Sequence, residues 1–215
     1  MSGYNDFIVE SIMYNLQILP ETLVCGTIIL AVVLANQSLG AIAIGVILTQ
    51  FIVEGVGSFL PGKGIVSSLD MCQSGVMASA MAKLLRGVKN SEKIWRPLAP
   101  SVYTATVGFL AGWGYALQQL YSDEIQAGVL SQSTLIGVAI LSAIIMILAI
   151  VFRVFNGCDT LMGAVGGTLL GLLMGYAGCI IVGYATNRKV TNIWGIPLLE
   201  DRINNGSPLY YCPTS

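Results

Sequence analysis

TLIGVAILSAIIMILAIVFRVFNGCDTLMGAVGGTLLGLLMG, residues 134–175, decides the fold. Thr134 to Phe152 carries no charge, and a helix that crosses a bilayer needs about 20 mostly apolar residues. Arg153 to Asp159 is a short polar break, and a second uncharged run fills roughly 160–184. In that run Gly163, Gly167, Gly171 and Gly175 recur every four residues, which predicts one smooth helix face. In lipid, where apolar burial gives no drive between helices, such a face lets a neighbouring backbone come close. These runs are membrane spans, and the glycine stripe is architecture rather than chemistry.

Composition extends that reading to the whole chain. Of 215 residues, 55% are apolar and 10% charged, against about 25% charged in a soluble domain. Further spans are expected at roughly 20–36, 39–60, 65–86 and 100–120, with 131–152 and 160–184 as the fifth and sixth. Asn36-Gln37-Ser38 reads as a tight turn, and Pro61-Gly62-Lys63-Gly64 as a stop. The span at 65–86 contains Asp70 and a stripe of small residues, so it is expected to face protein. Pro100 suits the first turn of the fourth helix. The predicted fold is an all-α bundle of six transmembrane helices over 20–185. An interfacial segment, 1–19, precedes it, and a polar C-terminal tail, 186–215, follows it. The N-terminus is acidic where a leader is basic, so no cleaved leader is expected.

Several functions are disfavoured at once. The net charge of −1 gives no field to attract nucleic acid. With no histidine in the chain, His-dependent triads and His metal ligands are excluded. Cys25, Cys72, Cys158, Cys179 and Cys212 are scattered without a CxxC, so neither zinc nor a disulfide framework is expected. The first four read as small apolar fillers; Cys212 sits in the polar tail. No cofactor and no metal are implied.

Four places carry chemistry. Lys89, Lys93 and Arg96 form the basic segment before the fourth helix, and Pro100-Ser101-Val102-Tyr103 opens it. Arg153 through Asp159 joins the fifth and sixth helices, and Glu54 and Asp70 are acids inside spans. Arginine donates to phosphate through a planar fork, and a helix start adds free N–H groups. If the fourth and fifth helices are antiparallel neighbours, Lys89, Arg96, Ser101 and Arg153 converge on one anion; otherwise they are flanking residues that snorkel. Glu54 and Asp70 offer an ion or proton path. The plainer reading is that each accepts hydrogen bonds or pairs with Lys63 or Arg153.

Lys89, six residues, then Arg96-Pro97 resembles the first signature of the type 2 phosphatidic acid phosphatase family, the vanadium haloperoxidase superfamily. Pro100-Ser101 is similar to the first half of its second signature, and RVFNGCDTLMGAVGGTLLGLLMG from Arg153 resembles its third. The resemblance covers about 20–184 and implies a six-helix fold with Lys89, Arg96, Ser101 and Arg153 gripping phosphate. It also implies two histidines, a nucleophile and an acid–base, and this chain has neither. Val102-Tyr103 stands where the second signature has Gly-His, and the nucleophile position falls at or near Cys158 or Asp159. Efficient hydrolysis is therefore not expected, and the implied protein is a degenerate member. The rival is a lipid phosphate phosphatase that uses Cys158 or Asp159 as nucleophile and Tyr103 as proton donor.

The expected partners are the lipid bilayer, anionic phospholipid headgroups, and a protein that docks on the tail. Trp194, Ile196, Leu198, Tyr210 and Tyr211 are too apolar for a solvated coil. That tail docks either on its own bundle or on a partner. The tail and the start of the fourth helix also resemble uncharacterised membrane proteins of large DNA viruses, which implies a virion inner membrane. Orientation stays open, because the positive-inside rule places 83–96 in the cytosol and the family resemblance places it outside.

Overall fold

The structure, a computed structural model, describes residues 22–60, 99–122 and 132–192. Within them are five helices and no strand: α1 (Thr22–Val33), α2 (Gln37–Phe59), α3 (Val102–Leu120), α4 (Gln132–Phe155) and α5 (Leu161–Ala185). Three helices are long and apolar enough to cross a membrane, over Gln37–Gly57, Ile136–Phe155 and Leu161–Ala185. The readings made for 1–19, for 65–86 with Asp70, for Lys89 and Arg96, and for the tail beyond 192 lie outside the described residues.

Helix ends follow local chemistry more closely than hydropathy. The break expected at 36–38 is instead Leu34–Asn36, because the Asn36 side chain caps α2 by accepting from the N–H groups of Ser38 (2.9 Å) and Leu39 (3.3 Å). At the start of α3 the cap is Ser101, so Pro100 lies before the helix rather than in its first turn. Helix α4 runs past the expected stop at 152 and takes Arg153 into its last turn, where a cation suits the negative end of the helix. There the Cys158 N–H reaches the Arg153 carbonyl (2.9 Å) and the Gly157 N–H the Val154 carbonyl (3.0 Å), with Gly157 at φ 64°. This is a Schellman end with glycine in the left-handed position. Helix α5 closes the same way through Asn187, and α1 through Ala35 at φ 47°.

The core sits along α3, which touches α2, α4 and α5. Helices α3 and α5 are parallel: Ala105 faces Gly171, Phe109 faces Gly175, and Leu120 faces Gly183. A Cβ on Gly171 or Gly175 would strike the backbone carbonyl of Ala105 or Phe109, and one on Gly108 or Gly112 that of Thr168 or Leu172. The glycine face expected on α5 is therefore used, and α3 meets it with Gly108 and Gly112. At this range the Thr104 hydroxyl bonds across to the Ala164 carbonyl (2.8 Å).

Helix α4 is antiparallel to α3, with Phe152 beside Tyr103 (ring centroids 6.3 Å) and Ala149 packed near Val107. Its other face shows Ile140, Leu141, Ile144, Ile147, Leu148 and Val151. That is the surface an apolar solvent requires. Helix α2 is also antiparallel to α3: Gly45 lies against Phe109, Gln50 bonds Thr106, and Gly57 lies near Ala99.

Candidate functional site

The ends of α2 and α4 and the starts of α3 and α5 meet at one end of the bundle, here called the mouth. Each side chain there is placed by a helix terminus. Arg153 comes from the last turn of α4, Asp159 from the turn into α5, and Ser101 and Tyr103 from the start of α3. The starts of α3 and α5 are locked together, because the Ser101 N–H donates to the Gly163 carbonyl at 2.9 Å.

One carboxylate oxygen organises the cluster. Asp159 Oδ2 accepts from Arg153 Nε at 2.7 Å and from Ser101 Oγ at 2.6 Å. The Arg153 side chain is 8% exposed and that of Asp159 18%, so the pair is mostly out of water while its acid edge still meets it. The guanidinium carbon lies 5.2 Å from the centroid of the Tyr103 ring, whose face adds cation–π attraction. Ser101 Oγ also accepts from the Thr104 N–H at 3.5 Å, a long cap. The hydroxyl proton is committed to Asp159.

Two of the four expected phosphate ligands, Ser101 and Arg153, are therefore brought together by antiparallel α3 and α4. They converge on a carboxylate supplied by the chain itself. Asp159 takes only the Nε–H of Arg153. A guanidinium carries five N–H donors, four of them on its Nη atoms, so geometry leaves a second edge for an anion. Glu54 is half-buried on α2, and the charge of Arg153 is met by Asp159 rather than by Glu54.

Cys158 corrects two expectations. Its sulfur is in a disulfide, whereas Cys25 and Cys179 are free thiols. It is not a filler, and as a disulfide it is no nucleophile, since attack needs the thiolate. Tyr103 is buried, with one face under Arg153. Among the described residues no group of three or more His, Cys, Asp and Glu side chains comes together.

Sequence reasoning missed the role of Asp159 as partner to both Arg153 and Ser101. A signal was present: an arginine and an aspartate flanking an Asn-Gly turn are brought close when the chain reverses there. It missed as well the buried pair Gln50–Thr106 (Nε2 to Oγ1, 3.2 Å) between α2 and α3. Gln50 Oε1 is buried without a hydrogen-bond partner, as is the indole N–H of Trp113 further along α3.

The chain matches no protein-family model, no curated protein and no solved structure.

Proposed function

We propose that this chain is a multi-pass membrane protein with a structural role, whose mouth holds the phosphate of an anionic lipid headgroup without cleaving it. It is read as a degenerate relative of the type 2 phosphatidic acid phosphatases that organises a membrane and docks a partner through its tail. The observation that carries the reading is the convergence of Arg153 and Ser101 on Asp159 Oδ2. These are side chains chosen for an oxyanion, held at a helix end. In this reading a headgroup phosphate takes the Nη edge of Arg153, with Lys89 and Arg96 as further cations. Three of the described helices, over Gln37–Gly57, Ile136–Phe155 and Leu161–Ala185, are long and apolar enough to cross a membrane, which supports the multi-pass part of this reading.

A working phosphatase would use Asp159 as nucleophile. One oxygen of its carboxylate is already engaged by a guanidinium and a hydroxyl, both of which draw on the lone pairs that an attack on phosphorus would use. Attack through Oδ2 would also require these hydrogen bonds to break.

The test uses purified full-length protein in detergent. Native mass spectrometry with phosphatidate and with phosphatidylcholine reads binding, and inorganic phosphate release from phosphatidate reads turnover. Selective retention of phosphatidate, weakened about tenfold or more by Arg96→Ala and by Arg153→Lys, with no phosphate released, is the expected result. Equal retention of both lipids removes the anion site. Phosphate release abolished by Asp159→Asn replaces the structural reading with the enzymatic one.

A further inference from the structure

Arg153 and Asp159 are each used on one side only. Among the described residues the Arg153 side chain donates through Nε alone, and the Asp159 side chain accepts through Oδ2 alone, from Arg153 Nε and Ser101 Oγ. That leaves the Nη donors of Arg153 and the Oδ1 acceptor of Asp159. Covalent geometry sets the Nη atoms beside Nε and Oδ1 beside Oδ2. A donor edge and an acceptor atom therefore flank one 2.7 Å bond, close enough for a single phosphate to meet both.

The two demand different things of a ligand. The Nη groups need an acceptor, which any phosphate oxygen supplies. An ionised carboxylate only accepts, so Oδ1 needs a donor. The Arg153 side chain is 8% exposed and that of Asp159 18%, so little water is left to serve as that donor once a headgroup covers the pair. A phosphate oxygen without a proton, set against Oδ1, meets like charge and leaves the acceptor unsatisfied. A phosphate monoester that keeps one proton has both parts, a P–O⁻ for Nη and a P–OH for Oδ1. A phosphodiester whose alcohol carries no hydroxyl or ammonium has only the first.

We infer that the mouth selects a phosphate headgroup that brings its own hydrogen-bond donor, accepting from Arg153 Nη and donating to Asp159 Oδ1. This rests on the headgroup reading above and narrows its ligand class, of which the singly protonated phosphate monoester is the simplest member. Asp159 then competes for Arg153 and also sets specificity, because it penalises any anion that arrives without a proton to give. The other ionisable side chains at the mouth, among the described residues, are Tyr103 of α3, whose ring lies under Arg153, and Glu54 of α2. The first turn of α5 carries none. Titration of Tyr103 or Glu54 acts on every anionic lipid alike and does not separate a monoester from a diester.

Lipid retention by purified full-length protein in detergent decides it. The probes are phosphatidate and phosphatidylmethanol with matched chains, the second a diester with one negative charge and no headgroup donor; phosphatidylcholine is the reference. A phosphate monoester loses its second proton at about pH 6, so at about pH 5 both probes are monoanions and only phosphatidate carries a P–OH. There phosphatidate is expected to be retained about tenfold or more over phosphatidylmethanol, the effect of one charge-assisted hydrogen bond. The protonated ligand is the one favoured, so the advantage is present at low pH and lost as the pH rises through that ionisation, while phosphatidylmethanol retention stays level. Asp159→Asn sets an amide N–H where an oxygen stood, so retention of both is expected to rise, phosphatidylmethanol most, and the gap to close. Equal retention of the two anionic lipids by the wild type, both above phosphatidylcholine, keeps the anion site and overturns the donor requirement, as does a gap unchanged in Asp159→Asn. Retention of neither above phosphatidylcholine removes the anion site and this inference with it.

Discussion

Arg153 and Asp159 form a 2.7 Å ion pair across the turn that reverses the chain between α4 and α5. Gly157 makes that turn by adopting a left-handed conformation. The backbone repeats the link, because the Arg153 carbonyl accepts from the N–H groups of both Cys158 and Asp159. A charged pair so enclosed is costly to break from one side.

Asp159→Asn is expected to lower the stability of the folded protein by about 3 kcal/mol, the low end for a one-sided break because Asp159 keeps some water contact. Thermal unfolding in a fixed detergent measures this. The same variant removes the internal competitor for Arg153, so phosphatidate retention is expected to rise several-fold. Reduced retention would mean that the carboxylate positions the cation and that the two anions do not compete.

Gly171→Ala places a methyl group against the Ala105 carbonyl and is expected to cost about 3 kcal/mol or more, at or beyond the upper range for overpacking. Gly166→Ala, on the same helix with nothing within 4 Å of its added methyl, is expected to be neutral or stabilising by up to about 1 kcal/mol. Equal melting temperatures for the two variants would show that α3 and α5 are not in backbone contact.

Ala35 closes α1 in a left-handed conformation that costs an L-residue roughly 1–2 kcal/mol. Ala35→Gly removes that cost at the price of a floppier unfolded chain, so a net gain of about 0.5–1 kcal/mol is expected. A fall in melting temperature would place the strain elsewhere.

Gln50 brings two polar atoms between α2 and α3, and only Nε2 is bonded. Gln50→Leu removes one hydrogen bond together with an orphaned acceptor, so a change within about 1 kcal/mol is expected. Thr106→Val instead leaves the Gln50 amide without its partner and is expected to cost about 1–3 kcal/mol. The difference between the two melting temperatures reads out the orphaned group directly.

Much of this architecture was legible in the residues. The apolar runs located α2 and α5 to within a few residues, because length and lack of charge are what lipid demands. The glycine face of α5 was readable because its four-residue period places those positions in line. The Arg153–Asp159–Ser101 cluster was half legible. Arg153 and Ser101 stood out as anion ligands, but which anion they meet depends on a turn geometry that no periodicity encodes. The disulfide of Cys158 was not legible, because scattered cysteines carry no pairing information. Relative helix direction was also hidden, because hydropathy counts apolar runs without saying which of them cross.

The lock between Tyr121 and the turn after α5 has one more consequence. It fixes the root of the C-terminal tail at the pole of the molecule remote from Asp159. A protein gripping that root and a headgroup seated beside Arg153 would approach from separate aqueous spaces, never touching. Any signal between them would have to pass along the α3–α5 seam, where glycine contacts leave little slack for one helix to slide past the other.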